Sequence, residues 1–240
     1  MGFPVRLAPL AICACLLLGG CQDQEPIEVG PSPADEAKAG ALLASYESAR
    51  ASQNWEAAEA LADQLHEKFP TSAAAGKAAS SLPAVRDGAM KARDAHRLQR
   101  LWQYQAVEVG KGEQLSATIF SRTVPAEDGE VAPTADAQLV LRDHPAWGRS
   151  AYLLLAQTQF SCGRPCAVQI GFDSRPARRY AGKQADSGKG PALFIEDDGG
   201  FITAMSQAKT VRIELPKGSG RIPALVFDVG GYAPARFAKP

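Results

Sequence analysis

Val211-Arg212-Ile213-Glu214-Leu215 alternates apolar and charged side chains residue by residue. A strand of that period puts Val211, Ile213 and Leu215 on one face and the two charges on the other, which suits a sheet packed on one side and wet on the other. The same pattern extends outward. Upstream, strands are predicted over Tyr104–Val109, Gln114–Ser121, Ala137–Arg142, Ala151–Ser161, Ala167–Phe172 and Ala192–Ile195, and downstream over Pro223–Val229. A short helix over Phe201–Ala208 interrupts the last three. Many short strands with Gly and Pro turns and no long helix between them indicate an antiparallel β-sandwich rather than an α/β sheet.

Before Tyr104 the period is helical. Leu42, Tyr46 and Ala49 recur at helix spacing, and Trp55, Ala58, Leu61, Leu65 and Phe69 form a second stripe. Pro70 stops that helix, and Thr71 or Ser72 can cap the next. A further helix is predicted from Val85 to Trp102, burying Met90, Ala95, Leu98, Leu101 and Trp102. Its other faces carry Arg86, Lys91, Arg93, Arg97 and Arg100, with Asp87 and Asp94 among them. That surface is either solvated or a contact for lipid or lipopolysaccharide phosphates. The expected fold class is therefore α+β: an N-terminal helical hairpin or three-helix segment (36–103), then an antiparallel β-sandwich with one short helix (104–240). The polar, Pro-rich stretch QDQEPIEVGPSPAD before it reads as a flexible tether (21–35).

The start of the chain has the layout of a secretory signal (1–20). One basic residue, Arg6, precedes an apolar run from Leu7 to Leu18, which is short for a permanent membrane span. Leu18-Gly19-Gly20-Cys21 resembles the lipobox of bacterial lipoproteins. The resemblance implies diacylglycerylation of the Cys21 thiol, cleavage just before it and acylation of the new amino terminus. Several acyl chains anchor far more firmly than one. Cys15, inside the apolar run, is the poorer cleavage point, and the alternative is an ordinary cleaved signal with a chance cysteine. Gln22 after the cysteine implies, by the same resemblance, the inner leaflet of the outer membrane, facing the periplasm.

Two further resemblances bear on the folded part. Asn54–Ala78, through Trp55, Ala58, Leu65 and the Phe69-Pro70-Thr71-Ser72 corner, resembles a tetratricopeptide-type hairpin like those of periplasmic assembly lipoproteins. It covers little more than one repeat where arrays need about three, and an Ala-rich hairpin of no repeat ancestry is the other reading. From Leu101 to Tyr232 the chain resembles a β-rich domain of exported bacterial proteins and lipoproteins. The matching residues are Trp102 and Tyr104, Ser116-Ala117-Thr118-Ile119 and Ser121, Gln159-Phe160, Cys162, Cys166, Val168 and Phe172-Asp173. The match continues through Leu193-Phe194-Ile195, Phe201, Ala208-Lys209, Ile213-Glu214 and Phe227-Asp228. This resemblance implies an envelope location and a sandwich, and no catalytic site.

Cys162-Gly163-Arg164-Pro165-Cys166, two cysteines around a Gly- and Pro-containing turn between strand patterns, suits a disulfide locking a hairpin in an oxidising compartment. The alternatives are a redox dithiol, which more often has C-x-x-C spacing, and a zinc site, for which His144 is the only histidine in this half.

The 240 residues balance 26 basic against 26 acidic side chains at 45% apolar content, so no overall field points to nucleic acid. No G-x-S-x-G occurs, His66-Glu67 has no second zincin histidine, and Gly188-Lys189 lacks the rest of a phosphate loop. Glu196-Asp197-Asp198-Gly199-Gly200 reads as a solvated turn without a calcium loop's alternating ligands. The loop from Ser174 to Lys189 holds Arg175, Arg178, Arg179 and Lys183 beside Tyr180, the best candidate for contact with an anion or glycan. The expected function is a non-enzymatic, lipid-anchored interaction or structural module of the envelope, with a protein or cell-wall partner and without cofactor or metal. The alternative is an envelope hydrolase or inhibitor acting through carboxylates such as Asp173, Asp197, Glu214 or Asp228.

Overall fold

The computed structural model describes residues 30–122, 137–155, 165–184, 190–215 and 224–237. The signal, Cys21 and Cys162 lie outside them. Four helices come first: α1 (Pro33–Ala51), α2 (Trp55–Lys68), α3 (Ala73–Ala79) and α4 (Leu82–Arg100). Helix α1 begins inside the stretch read as tether, because Ser32 Oγ accepts the Asp35 N–H at 3.1 Å and Pro33 occupies the first turn, where no N–H is required. Ser72 caps α3 in the same way, accepting from the Ala75 N–H at 3.1 Å. Ala39, Tyr46, Ala58, Ala62, Leu65, Ala74, Ala78 and Val85 make the helical core, in which small side chains let the helix backbones approach.

Helix α4 differs from its predicted burial. Met90 is 57% exposed and Ala95 is also exposed, whereas Val85 and Ala89 are buried near one end and Leu98 near the other, just before buried Trp102. The two ends serve different cores, so the buried positions do not form one stripe. Between them, α4 meets α2 through Arg86–Asp63 and Arg93–Glu59 ion pairs, with His96 facing Glu56. Lys91 pairs with Asp87 and Arg97 with Asp94 along the helix itself. The surface read as a phosphate contact is thus mostly neutralised by acids of this chain.

Among the described residues nine strands follow: β1 (Gln103–Val109), β2 (Gly112–Phe120), β3 (Ala137–His144), β4 (Gly148–Leu155), β5 (Ala167–Phe172), β6 (Arg178–Gln184), β7 (Ala192–Ile195), β8 (Val211–Glu214) and β9 (Leu225–Phe227). Every pairing is antiparallel, in the order β1-β2-β3-β4-β7-β6-β5-β8-β9. The fold is α+β as expected, and its antiparallel layers are two halves of one curled, half-barrel sheet. The curl brings β9 back to the chain two residues beyond β2, where the Arg122 N–H donates to Val226 O at 2.8 Å. Helix α5 (Asp198–Ser206) fills the concave side with fully buried Phe201 and Met205. The β3–β4 hairpin closes over Pro145-Ala146-Trp147, with Gly148 at φ 71° in the left-handed region that such a loop requires.

The sheet order bears on two expectations. The strands flanking the Cys162–Cys166 segment, β4 and β5, are not neighbours, since β7 and β6 lie between them. Residues 156–164, with Cys162 among them, lie outside the described residues. The other is corrected: Arg178–Gln184, read as part of a loop, is strand β6, hydrogen-bonded to β5 on one side and β7 on the other.

The C-terminal segment ties the sheet to α4. Trp102 Nε1 donates to Val229 O at 3.3 Å, and Tyr104 Oη accepts the Ala233 N–H at 2.7 Å. Tyr232 packs on Trp102 at 5.1 Å between centroids, and burial together with the Tyr104 phenol pushes its own phenol up to about 12.

Candidate functional site

Strand β6 decides the site. Residues directly opposite one another in a ladder share a face, and Tyr180 faces Val168 while Arg178 faces Ile170. Val168 and Ile170 are buried core residues, so Arg178, Tyr180 and Gly182 point to the concave side. Arg179, Ala181 and Lys183 point outward by the strand period. The four cations grouped by sequence are therefore divided, with Arg175 and Arg178 on one cleft and Arg179 and Lys183 on the other face.

The cleft, of about 300 Å³, is lined by Phe172, Arg175, Pro176, Arg178, Tyr180 and Ala204. It opens at the mouth of the half-barrel beside α5. Its floor is the rim of the core: the Phe172, Tyr180 and Phe201 rings lie 5.9 to 6.4 Å apart. Arg175, in the turn after β5, lays its guanidinium over the Phe172 ring at 5.6 Å and donates from Nε to Phe172 O at 3.3 Å. Neither Arg175 nor Arg178 has an ion-pair partner among the described residues. A smaller cleft of about 270 Å³ on the other side of α5 is lined by Arg149, Ile202, Thr203, Ser206, Tyr232, Pro234 and Phe237.

The carboxylates considered for catalysis each have a structural partner. Asp173 sits in the left-handed region at φ 53°, and its Oδ1 accepts the backbone N–H groups of Lys209 at 2.8 Å and Thr210 at 2.9 Å. Glu214 pairs along its own strand with Arg212 at 3.2 Å, Asp228 pairs with Arg122 at 3.2 Å, and Asp197 caps α5 by accepting from the Gly200 N–H. Among the described residues no group of three or more His, Cys, Asp or Glu side chains could hold a metal ion. No described helix is long and apolar enough to cross a membrane.

Asp173 yields a prediction with a definite sign. The Thr210 N–H, then the Lys209 N–H and the Arg175 charge, hold its carboxyl below the ordinary range against a smaller opposing effect of burial. A depressed folded value means that the charged form stabilises the fold above the unfolded value of about 3.9, and that this contribution fades as pH falls through the folded value. Asp173→Asn, which still tolerates the left-handed backbone, should unfold at lower urea than wild type at pH 7, with the gap closing at pH 2 to 3. A gap that is the same at both pH values would show that the charge contributes nothing.

Cys166 lies where β5 begins, and its Sγ would stand 3.0 Å from a Cβ added at Gly182 of β6. Glycine at 182 leaves room for that sulfur and for Leu193, whose Cδ1 would be 3.1 Å from the same Cβ.

No family model matches the chain, and no curated protein matches it. Among solved structures, the crystal structure of invasion associated protein B from Bartonella henselae is similar at a TM-score of 0.34 and 13% identity, over 55% of this chain and 85% of that one.

Proposed function

We propose that the chain is a lipid-anchored protein of the bacterial cell envelope that acts as a non-enzymatic binding module. In this reading acyl chains on Cys21 hold it on the inner leaflet of the outer membrane, facing the periplasm, and its partner is an envelope protein or the cell wall. The observation that carries the binding role is the concave cleft, where Arg175 stands over the Phe172 ring and Arg178 lines the wall, neither with an ion-pair partner among the described residues. Arginine and aromatic side chains are the groups on which recognition surfaces most often depend. An oxidising compartment agrees with Cys166 being disulfide-bonded, and we take Cys162 as its partner. Such a bridge would fix the entry to β5, next to the strand that carries the cleft.

The test is affinity purification from crosslinked envelopes, comparing wild type with Arg175→Ala/Arg178→Ala. The expected result is a partner captured by wild type and lost, or reduced at least about tenfold, with the double variant. An identical set of captured proteins would remove the cleft from the binding role.

A further inference from the structure

We infer that the Arg175–Arg178 cleft receives an amphipathic carboxylate, its head between the two guanidinium groups and its apolar body on Phe172 and Tyr180; the inference rests on the binding-module reading. Position 178 is the first observation. On β6 the concave positions are 178, 180 and 182, and the facing residues of β5 at that level are Ile170 and Val168, both core. The strand period calls for an apolar residue at 178, and the chain places there a cation without an ion-pair partner among the described residues. Arg178 is exposed at the start of β6, so its stem leaves the core face and its charge stays accessible at the mouth of the cleft.

Arg175 is oriented in advance. Its Nε is committed to Phe172 O and its Cζ stands 5.6 Å from the Phe172 ring centroid, which leaves the terminal amino groups for a ligand. Such a fork matches a planar carboxylate. Charge number points the same way. Asp173 lies close enough for its carboxylate and Arg175 to interact, so the local field is less positive than two free arginines would make it, which favours a singly charged head over a phosphate dianion. The floor of Phe172, Tyr180 and Pro176 is apolar, and about 300 Å³ is at the small end of ligand sites. The body is therefore about one ring or one branched side chain. Two sources share this chemistry: a free aryl or alkyl carboxylic acid, and the C-terminal residue of a peptide ending in a large apolar side chain.

The experiment uses the folded protein without its signal and follows 3-(4-fluorophenyl)propionate by ¹⁹F NMR. Binding is expected, with the corresponding alcohol and with acetate each at least about tenfold weaker. Arg178→Gln and Arg175→Gln should each weaken the acid at least about tenfold, whereas outward-facing Arg179→Gln should leave it unchanged. Competition by the tripeptide Gly-Gly-Phe but not by its C-terminal amide, at lower concentration than phenylpropionate, identifies a peptide terminus; the reverse order identifies a free acid. Either order supports the proposal. It is overturned if the alcohol binds as well as the acid, if Arg178→Gln changes nothing, or if no acid or peptide binds at about 10 mM. Should the acids fail while crosslinked capture still depends on Arg175 and Arg178, the carboxylate falls and the binding module stands.

Discussion

Gly231→Ala should lower the melting temperature by about 6 to 12 °C, the equivalent of about 3 kcal/mol in a folded part of this size. Gly231 is buried in the turn of 3₁₀ helix at Val229–Gly231, against the last turn of α4. A Cβ placed on it would stand 2.2 Å from the carbonyl carbon of Leu98 and 2.3 Å from Leu98 O and Gln99 N. These are backbone atoms of a helix, so no side-chain rotation relieves the overlap, and either α4 or the C-terminal turn must withdraw. Withdrawal would pull Trp102 from Val229 O and open the seam between the helices and the sheet. Gly230→Ala is the control, because there the nearest atom, Lys209 Cα, would be 3.3 Å away and the residue is exposed. Thermal unfolding followed by tryptophan fluorescence measures both. A Gly231→Ala protein melting within about 2 °C of wild type would mean that the two segments are less closely apposed than described.

Cys21→Ser should abolish incorporation of a clickable fatty acid and move the protein from the membrane to the soluble fraction. The size of the effect follows from chain number. One acyl chain binds a bilayer only marginally, with an association constant of about 10⁴ M⁻¹, and each buried methylene adds about 0.8 kcal/mol. An anchor with several chains is effectively permanent, and on the proposed anchoring, losing the Cys21 thiol removes most of it. With 26 basic and 26 acidic residues, the chain has no general cationic attraction to anionic lipid to fall back on. Retained label, together with retained membrane fractionation, would refute the lipobox reading.

What the sequence disclosed depended on whether local pattern and final burial coincide. In Val211–Glu214 the charged and apolar residues sort by face as the alternation requires, and β5 was read to its observed ends. Strand β6 carries no local strand signal, because its concave positions are Arg178, Tyr180 and Gly182, which do not make an apolar face. It is a strand because β5 and β7 pair with it from both sides, a non-local fact. The site was obscured for the same reason. Four cations close in sequence looked like one patch until the strand divided them, and Tyr180, two residues beyond Arg178, was the clue to which of them share an aromatic floor. The helical period puts Met90 inside only if α4 has one buried side, and Val85 and Trp102 belong to separate cores.

The contacts that close the half-barrel also set an order of events during synthesis. Trp102 finds its acceptor 127 residues later and Tyr104 its donor 129 residues later. At ordinary elongation rates that interval is about 6 to 25 s, during which α4 and β1 exist without the segment that covers them. A chain ending just short of Val229 would possess all nine described strands and still lack its seal, so a stop codon that late should be nearly as damaging to the protein's survival as one in the middle of the sheet.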